Sequence, residues 1–215
     1  MKKIDLKKEL KYLYLPSAKQ VEIVQVPRLQ FVMIDGAMKK GEEPGTSGGF
    51  QESMQALYGA AYTLKFMLKK RKTRAVDYPV MALEGLWWVK DGVFDITVKD
   101  NWHYTLMILQ PDVVTGEDFE LALEELRKKR GDSTALSKLR LAHFEEGCCT
   151  QVMHLGPYAA EPATVERMRA FALENGYRDS VGLGGKHHEI YMGDPRKADP
   201  AKLKTVLRHP VEKMR

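Results

Sequence analysis

Two segments place a carboxylate directly beside aromatic side chains: ALEGLWWV at residues 82–89 and KHHEIYM at residues 186–192. Successive side chains of a strand alternate between its two faces. That rule groups Val80, Ala82, Glu84, Leu86 and Trp88 against Met81, Leu83, Gly85 and Trp87, with a bulge at Gly85 as a way to shift the parity. It likewise groups His187, Glu189 and Tyr191 against His188, Ile190 and Met192. A carboxylate in an apolar strand is costly unless it meets a cation, a donor or water. Aromatic faces stack on planar ligands and attract cations. A glutamate among them can neutralise a cationic ligand or serve as general base on a water. The plainer reading has Trp87 and Trp88 filling the two sides of a sheet and both glutamates in salt bridges. Recurrence of a glutamate at the paired place in two similar segments favours a site.

Other chemistry is poorly represented. His187 and His188 point to opposite faces of a regular strand and cannot chelate one ion together. The adjacent Cys148 and Cys149 lack Cys-x-x-Cys zinc spacing. The chain carries no G-x-S-x-G, H-E-x-x-H or dinucleotide fingerprint, and neither a metal nor a cofactor is expected. The loop GEEPGTSGG lacks the terminal Lys-Ser/Thr of a phosphate-binding loop and reads as a flexible connection.

The elements that must position these residues come in a doubled order. Asp5 caps a short helix over 5–15, ended by Pro16. Residues 21–34 read as a strand interrupted near Pro27. Residues 50–69 carry Met54, Leu57, Ala61, Leu64 and Leu68 at helical spacing, with Tyr58 and Tyr62 four apart on one face. Strands follow at 78–89 and 103–110, then a linking helix over 116–130. The pattern repeats: a strand over 139–156 with a kink at Glu146-Gly147, a helix over 162–176, a strand and turn over 184–195, and a last strand over 202–211. Strand–helix–strand–strand thus occurs twice, about 21–111 and 139–211, within one domain spanning 1–215. The fold class is α+β: two pseudo-symmetric βαββ units with antiparallel sheets and a groove between them, a natural small-molecule site.

Composition bounds the partners. The chain has 215 residues, 44% hydrophobic and 29% charged, with a net charge of +5. These values fit a globular protein with a real core. No window approaches the roughly 18 apolar residues of a membrane span, and the charged start MKKIDLKKELKYLYLP lacks a signal-peptide core. A cytoplasmic location with no membrane partner is expected. The basic clusters at Lys65–Arg74 and Arg127–Arg130 follow amphipathic segments and suit helix C-termini rather than a nucleic-acid face.

The doubled order, ALEGLWWV, HYTLMILQPD and HHEIYMGDPRKADPAKLKTVLRHPV together resemble the GyrI-like small-molecule-binding family, in particular its stand-alone members. The resemblance covers about Val21 to Val211. It implies a ligand groove between the two units and, by analogy with effector domains of multidrug-responsive regulators, a glutamate matching Glu189 that receives planar cationic compounds. Only about 20 residues precede the first strand, so direct sequence-specific DNA reading is not expected. Some stand-alone relatives hydrolyse cyclopropanoid DNA-alkylating compounds. By that resemblance Glu189 and Glu84 form an acidic pair acting on water. Tyr191, Trp87, Trp88, Tyr104, His187, Tyr58 and Tyr62 then surround the ligand. Non-catalytic drug sequestration or inhibition of a protein partner remains the alternative.

Overall fold

The computed structural model describes residues 1–98, 101–194 and 197–215. In chain order the elements are β1 (Lys2–Lys3), α1 (Leu6–Glu9), α2 (Lys11–Tyr14), β2 (Glu22–Val26), β3 (Leu29–Ala37), α3 (Gly48–Lys69), β4 (Val76–Asp77), β5 (Leu83–Val89), β6 (Trp102–Gln110), α4 (Gly116–Arg130), α5 (Thr134–Ser137), β7 (Arg140–Phe144), β8 (Gly147–Leu155), α6 (Glu161–Glu174), β9 (Tyr177–Asp179), β10 (His187–Tyr191) and β11 (Lys204–Lys213). The doubled βαββ order is present as β3–α3–β5–β6 and β8–α6–β10–β11. Pro195, the end of the turn expected after the second unit's middle strand, lies outside the described residues.

Local chemistry sets the boundaries. The Ser47 side chain accepts from Phe50 N–H and starts α3, which buries Leu57, Ala60, Leu64 and Leu68. Thr115 and Asp118 form a reciprocal capping box at the start of α4. The helix expected over 5–15 is two short helices that meet at Leu10. The strand expected over 78–89 begins only at Leu83, beyond Pro79, whose missing N–H suits it poorly to a sheet interior. Val80 and Ala82 therefore precede the strand. No bulge occurs at Gly85: pairing with β6 runs unbroken from Leu83–Ile108 to Val89–Trp102.

The two units lie side by side in one shared sheet. Its order is β2-β8-β11-β10-β5-β6-β3-β7, with the units joined at the antiparallel pair β5–β10. The apparent edges are connected. β2 runs into β3 through Pro27-Arg28, and β7 into β8 through Glu145-Glu146. β2 pairs β8 while β3 pairs β7, so two bent strands lie antiparallel on both sides of their bends, Glu22–Met33 against Arg140–Gln151, and close the sheet into a ring. Both bends fall where the sequence signalled an interruption.

Residues directly opposite each other across an antiparallel pair share a side of the sheet. Glu84 opposes Ile190 and Met107, and His188 opposes Leu86 and Arg208. These residues face the inside of the ring, where α2 also inserts Leu13 and Tyr14. Trp87 opposes His187 and Tyr104, while Glu189 opposes Gly85 and Leu207. This outer face carries the helices. Phe50 of α3 stacks on Trp87 with ring centres 5.8 Å apart, and α6 packs Val165 and Met168 against Val152 and Leu207.

The basic clusters meet carboxylates. Lys69 bonds Asp77 at 2.7 Å, Arg71 bonds Asp118 and Lys129 bonds Glu125 one turn away. No helix among the described residues is long and apolar enough to cross a membrane.

Candidate functional site

A cleft of about 1630 Å³ opens on the outer face of the β5–β10 junction, between the start of α3 and the start of α6. Its walls include Phe50, Tyr58, Tyr62, Trp87, Trp102, Tyr158 and Tyr191; Glu161 and Glu189 reach it beside the sheet, and Glu42, Glu43 and Asp194 also line it. β10 supplies Glu189 and Tyr191 at alternate positions of one face, and α6 supplies Glu161 from its first turn. Gly85 shapes the floor. A side chain there would lie 2.8 Å from Trp87 Nε1 and 3.2 Å from Tyr191 O–H. Its absence lets the indole cross the strand and donate to the Tyr191 hydroxyl at 3.1 Å.

Two phenols of this cleft, those of Tyr191 and Tyr158, are held protonated. Burial, reinforced by the Glu189 carboxylate, raises Tyr191 well above the ordinary tyrosine value. Burial, with the charges of Glu189, Glu161 and Asp194, pushes Tyr158 up to about 12. Both are hydrogen-bond donors at neutral pH, and their rings meet edge to face at 6.0 Å.

Behind Glu189 runs a chain of buried polar groups. His187 Nε2 lies 3.0 Å from Glu189 Oε1, and His187 Nδ1 lies 2.6 Å from His209 Nε2. His209 Nδ1 lies 2.7 Å from Asp179 Oδ2. Burial lowers the pKa of His209, against the pull of Asp179. Burial also opposes ionisation of Asp179, but the His209 bond and charge, the Val181 N–H and Arg169 together outweigh it and hold this carboxyl below the usual range. Glu161, His187 and Glu189 bring ligand-type atoms within 4.8 Å of one another. Within this group His187 is already bonded to Glu189.

Glu84 is not part of this site, and the expected Glu84–Glu189 pair is corrected. The two glutamates lie on opposite faces because β5 and β10 pair with Gly85, not Glu84, opposite Glu189. Glu84 enters a second network inside the ring. It accepts from Tyr14 O–H at 2.5 Å and meets His188 Nε2 at 3.1 Å. His188 Nδ1 lies 2.9 Å from Glu146 Oε2, which also accepts from Arg208 at 3.3 Å. Arg208 further donates to the Leu13 carbonyl at 2.8 Å, tying the N-terminal segment to the barrel. Burial opposes the charge on His188, but Glu146 and Glu84 raise its pKa above the usual histidine value. Burial opposes the charge on Glu146 as well, and His188 and Arg208 draw its pKa down.

Trp88 also faces away from the cleft, stacked on His103 at 5.8 Å with the Lys186 ammonium 3.5 Å above its ring. Tyr104 is buried behind the wall. Its ring occupies the space a side chain at Gly36 would need, and its hydroxyl pairs with Ser53 at 3.1 Å. His187 backs Glu189 without lining the cleft. Tyr58 and Tyr62 do line it, and they extend with Phe66 into a smaller groove of about 550 Å³ between α3 and α4. Sequence reasoning missed Glu161, Tyr158, Asp179 and His209. The alternation His209–Leu207 on β11 was a readable signal only for the last of these.

A GyrI-like small molecule binding domain matches residues 19–212. The chain belongs to that family. Among solved structures this GyrI-like chain is similar to an uncharacterized conserved protein from Listeria innocua, at 44% identity and a TM-score of 0.87, covering 97% of this chain and 100% of the other. It is also similar to a hydrolase encoded by lin2189 from Listeria innocua, at 43% identity and a TM-score of 0.83, covering 98% and 100%. The EcmrR C-terminal domain shares the fold at 12% identity and a TM-score of 0.53, over 91% and 98% of the two chains. No curated protein sequence matches the chain.

Proposed function

We propose that this GyrI-like protein is a hydrolase that binds planar, hydrophobic small molecules in the outer cleft and opens a strained cyclopropane ring with water, as in cyclopropanoid DNA-alkylating compounds. The observation that carries this reading is a glutamate, Glu189, on the floor of an aromatic-walled cleft beside two protonated phenols. The similarity to a Listeria innocua hydrolase over nearly the whole chain supports the reaction class.

In this mechanism a flat ligand lies against Trp87, Tyr191 and Tyr158. Glu189 takes a proton from water as the new carbon–oxygen bond forms. The ring carbon–carbon bond breaks, and its electron pair passes to the conjugated carbonyl oxygen. Tyr158 donates a hydrogen bond to that oxygen as its charge grows, and the proton taken by Glu189 is returned through solvent to the same oxygen, so the product gains one water and Glu189 is again a carboxylate. Strain in the substrate keeps the demand on the protein modest. Glu84 has no part in the step. The ligand is a free small molecule.

The test is incubation with a cyclopropanoid probe and mass spectrometry of the product. More than one ring-opened, water-added product per protein is expected, with turnover lost and binding kept in Glu189→Gln. Stoichiometric binding without product would instead establish the second reading, sequestration of planar cations. The carboxylates among aromatic walls favour that reading as the alternative.

A further inference from the structure

The bonds behind Glu189 constrain where protons sit. Each of the three contacts Asp179–His209, His209–His187 and His187–Glu189 needs one hydrogen. Asp179 is a carboxylate and accepts, so His209 Nδ1 donates. A neutral His209 then presents a lone pair on Nε2, and His187 Nδ1 must donate to it. The last contact takes its hydrogen either from His187 Nε2, giving an imidazolium beside a carboxylate, or from Glu189, giving a neutral imidazole beside a carboxylic acid. Both arrangements hold the same number of protons.

We propose that Asp179 and His209 are positioning residues that keep one proton shared between His187 Nε2 and Glu189, so that Glu189 works as one end of a proton store and not as an isolated carboxylate. The inference rests on the reading of Glu189 as the group that acts on water. Hydrolytic ring opening takes a proton from water and returns one to the carbonyl oxygen. A store that neither gains nor loses protons overall suits that balance. The surroundings are consistent with it. Asp179 Oδ1 is anchored by Val181 N–H at 2.8 Å, and Phe94 covers His187 at 5.6 Å. From α6, Arg169 lies 3.4 Å from Asp179 and Glu161 stands near Glu189 and His187. Tyr191, Tyr158 and His154 are further titratable groups among the described residues that interact with Glu189.

The test is nitrogen-15 NMR of the imidazoles in the full chain, assigned with His187→Gln and His209→Gln, beside pH-dependent kinetics. The wild type should carry hydrogen on Nδ1 of both His209 and His187. In Asp179→Asn, Val181 N–H holds the amide oxygen in place of Oδ1 and turns the amide N–H₂ toward His209 Nδ1. Both tautomers should then reverse, leaving His187 to donate from Nε2 to Glu189. With a cyclopropanoid probe, kcat should fall about 10²-fold with KM nearly unchanged and a shifted pH profile. A wild-type His187 without hydrogen on Nδ1 overturns the proposal, whether or not Asp179→Asn folds. So does Asp179→Asn with unaltered tautomers and kinetics. If the wild-type tautomers are as stated but no probe is turned over, the hydrolase reading fails and the shared proton stands.

Discussion

His187 and His188 are neighbours in the chain, and each meets a glutamate on its own face of β10. Inside the ring, His188 is bonded through both nitrogens to carboxylates, and Arg208 and Tyr14 complete the set. A protonated His188 with Arg208 balances Glu84 and Glu146, and every member is sealed from water. On the outer face, His187 is held from behind by His209 and Asp179, and of the pair only Glu189 reaches the cleft. The difference teaches what separates a structural polar cluster from a reactive one. The inner carboxylates meet only partners sealed inside the ring, whereas Glu189, held by His187 behind and the Tyr191 hydroxyl beside it, also faces a cleft that can admit a ligand or a water.

The sharpest way to break this contrast is to neutralise one glutamate from each side. Glu189→Gln should lower turnover of a cyclopropanoid probe by about 10²- to 10⁴-fold and leave the denaturant midpoint nearly unchanged. Glu84→Gln should keep turnover per folded molecule and lose stability instead. Equal loss of turnover in both would refute the division. Next in size, Arg208→Met leaves two buried carboxylates short of a cation and should cost about 3–5 kcal/mol in urea unfolding.

A smaller effect lies in the pH dependence. Because the folded pKa of His188 is raised, its contribution is fully present below about pH 6.5 and is lost as pH rises through the raised folded value. Stability measured against pH should therefore decline on the alkaline side, and His188→Gln should flatten that decline. A slope of opposite sign would mean that His188 is neutral in the fold. Smallest of all, Lys186→Ala removes the ammonium over Trp88 and its attraction to Asp35, so about 0.5–1 kcal/mol is expected with no change in turnover.

Much of this was legible before any coordinates. Alternation along HHEIY separated His187 and Glu189 from His188, and hydrophobic spacing located α3, α4 and α6. Pro27 and Glu146-Gly147 marked both bends. What failed was the pairing of Glu84 with Glu189. It came from matching landmarks between halves, whereas a side chain's face depends on cross-strand register, and Gly85 is the residue opposite Glu189. Gly85 itself suggested a bulge, yet its role is to clear space for Trp87 and Tyr191. Asp179 and Glu161 had no local signature, since a three-residue strand and a helix's first turn reach Glu189 only through tertiary packing.

The closure of the sheet has a further consequence. Each half donates an outer strand to its counterpart: β2 of the first pairs β8, and β7 of the second pairs β3. A half cut out at the linker between Arg130 and Arg140 would therefore carry unpaired edges, the kind of surface that seeks another chain. Two copies of one half could rebuild the ring only by exchanging those strands. The halves thus behave as hooks already clasped, and the spacing of the two cleft walls is fixed by the clasp instead of by a hinge.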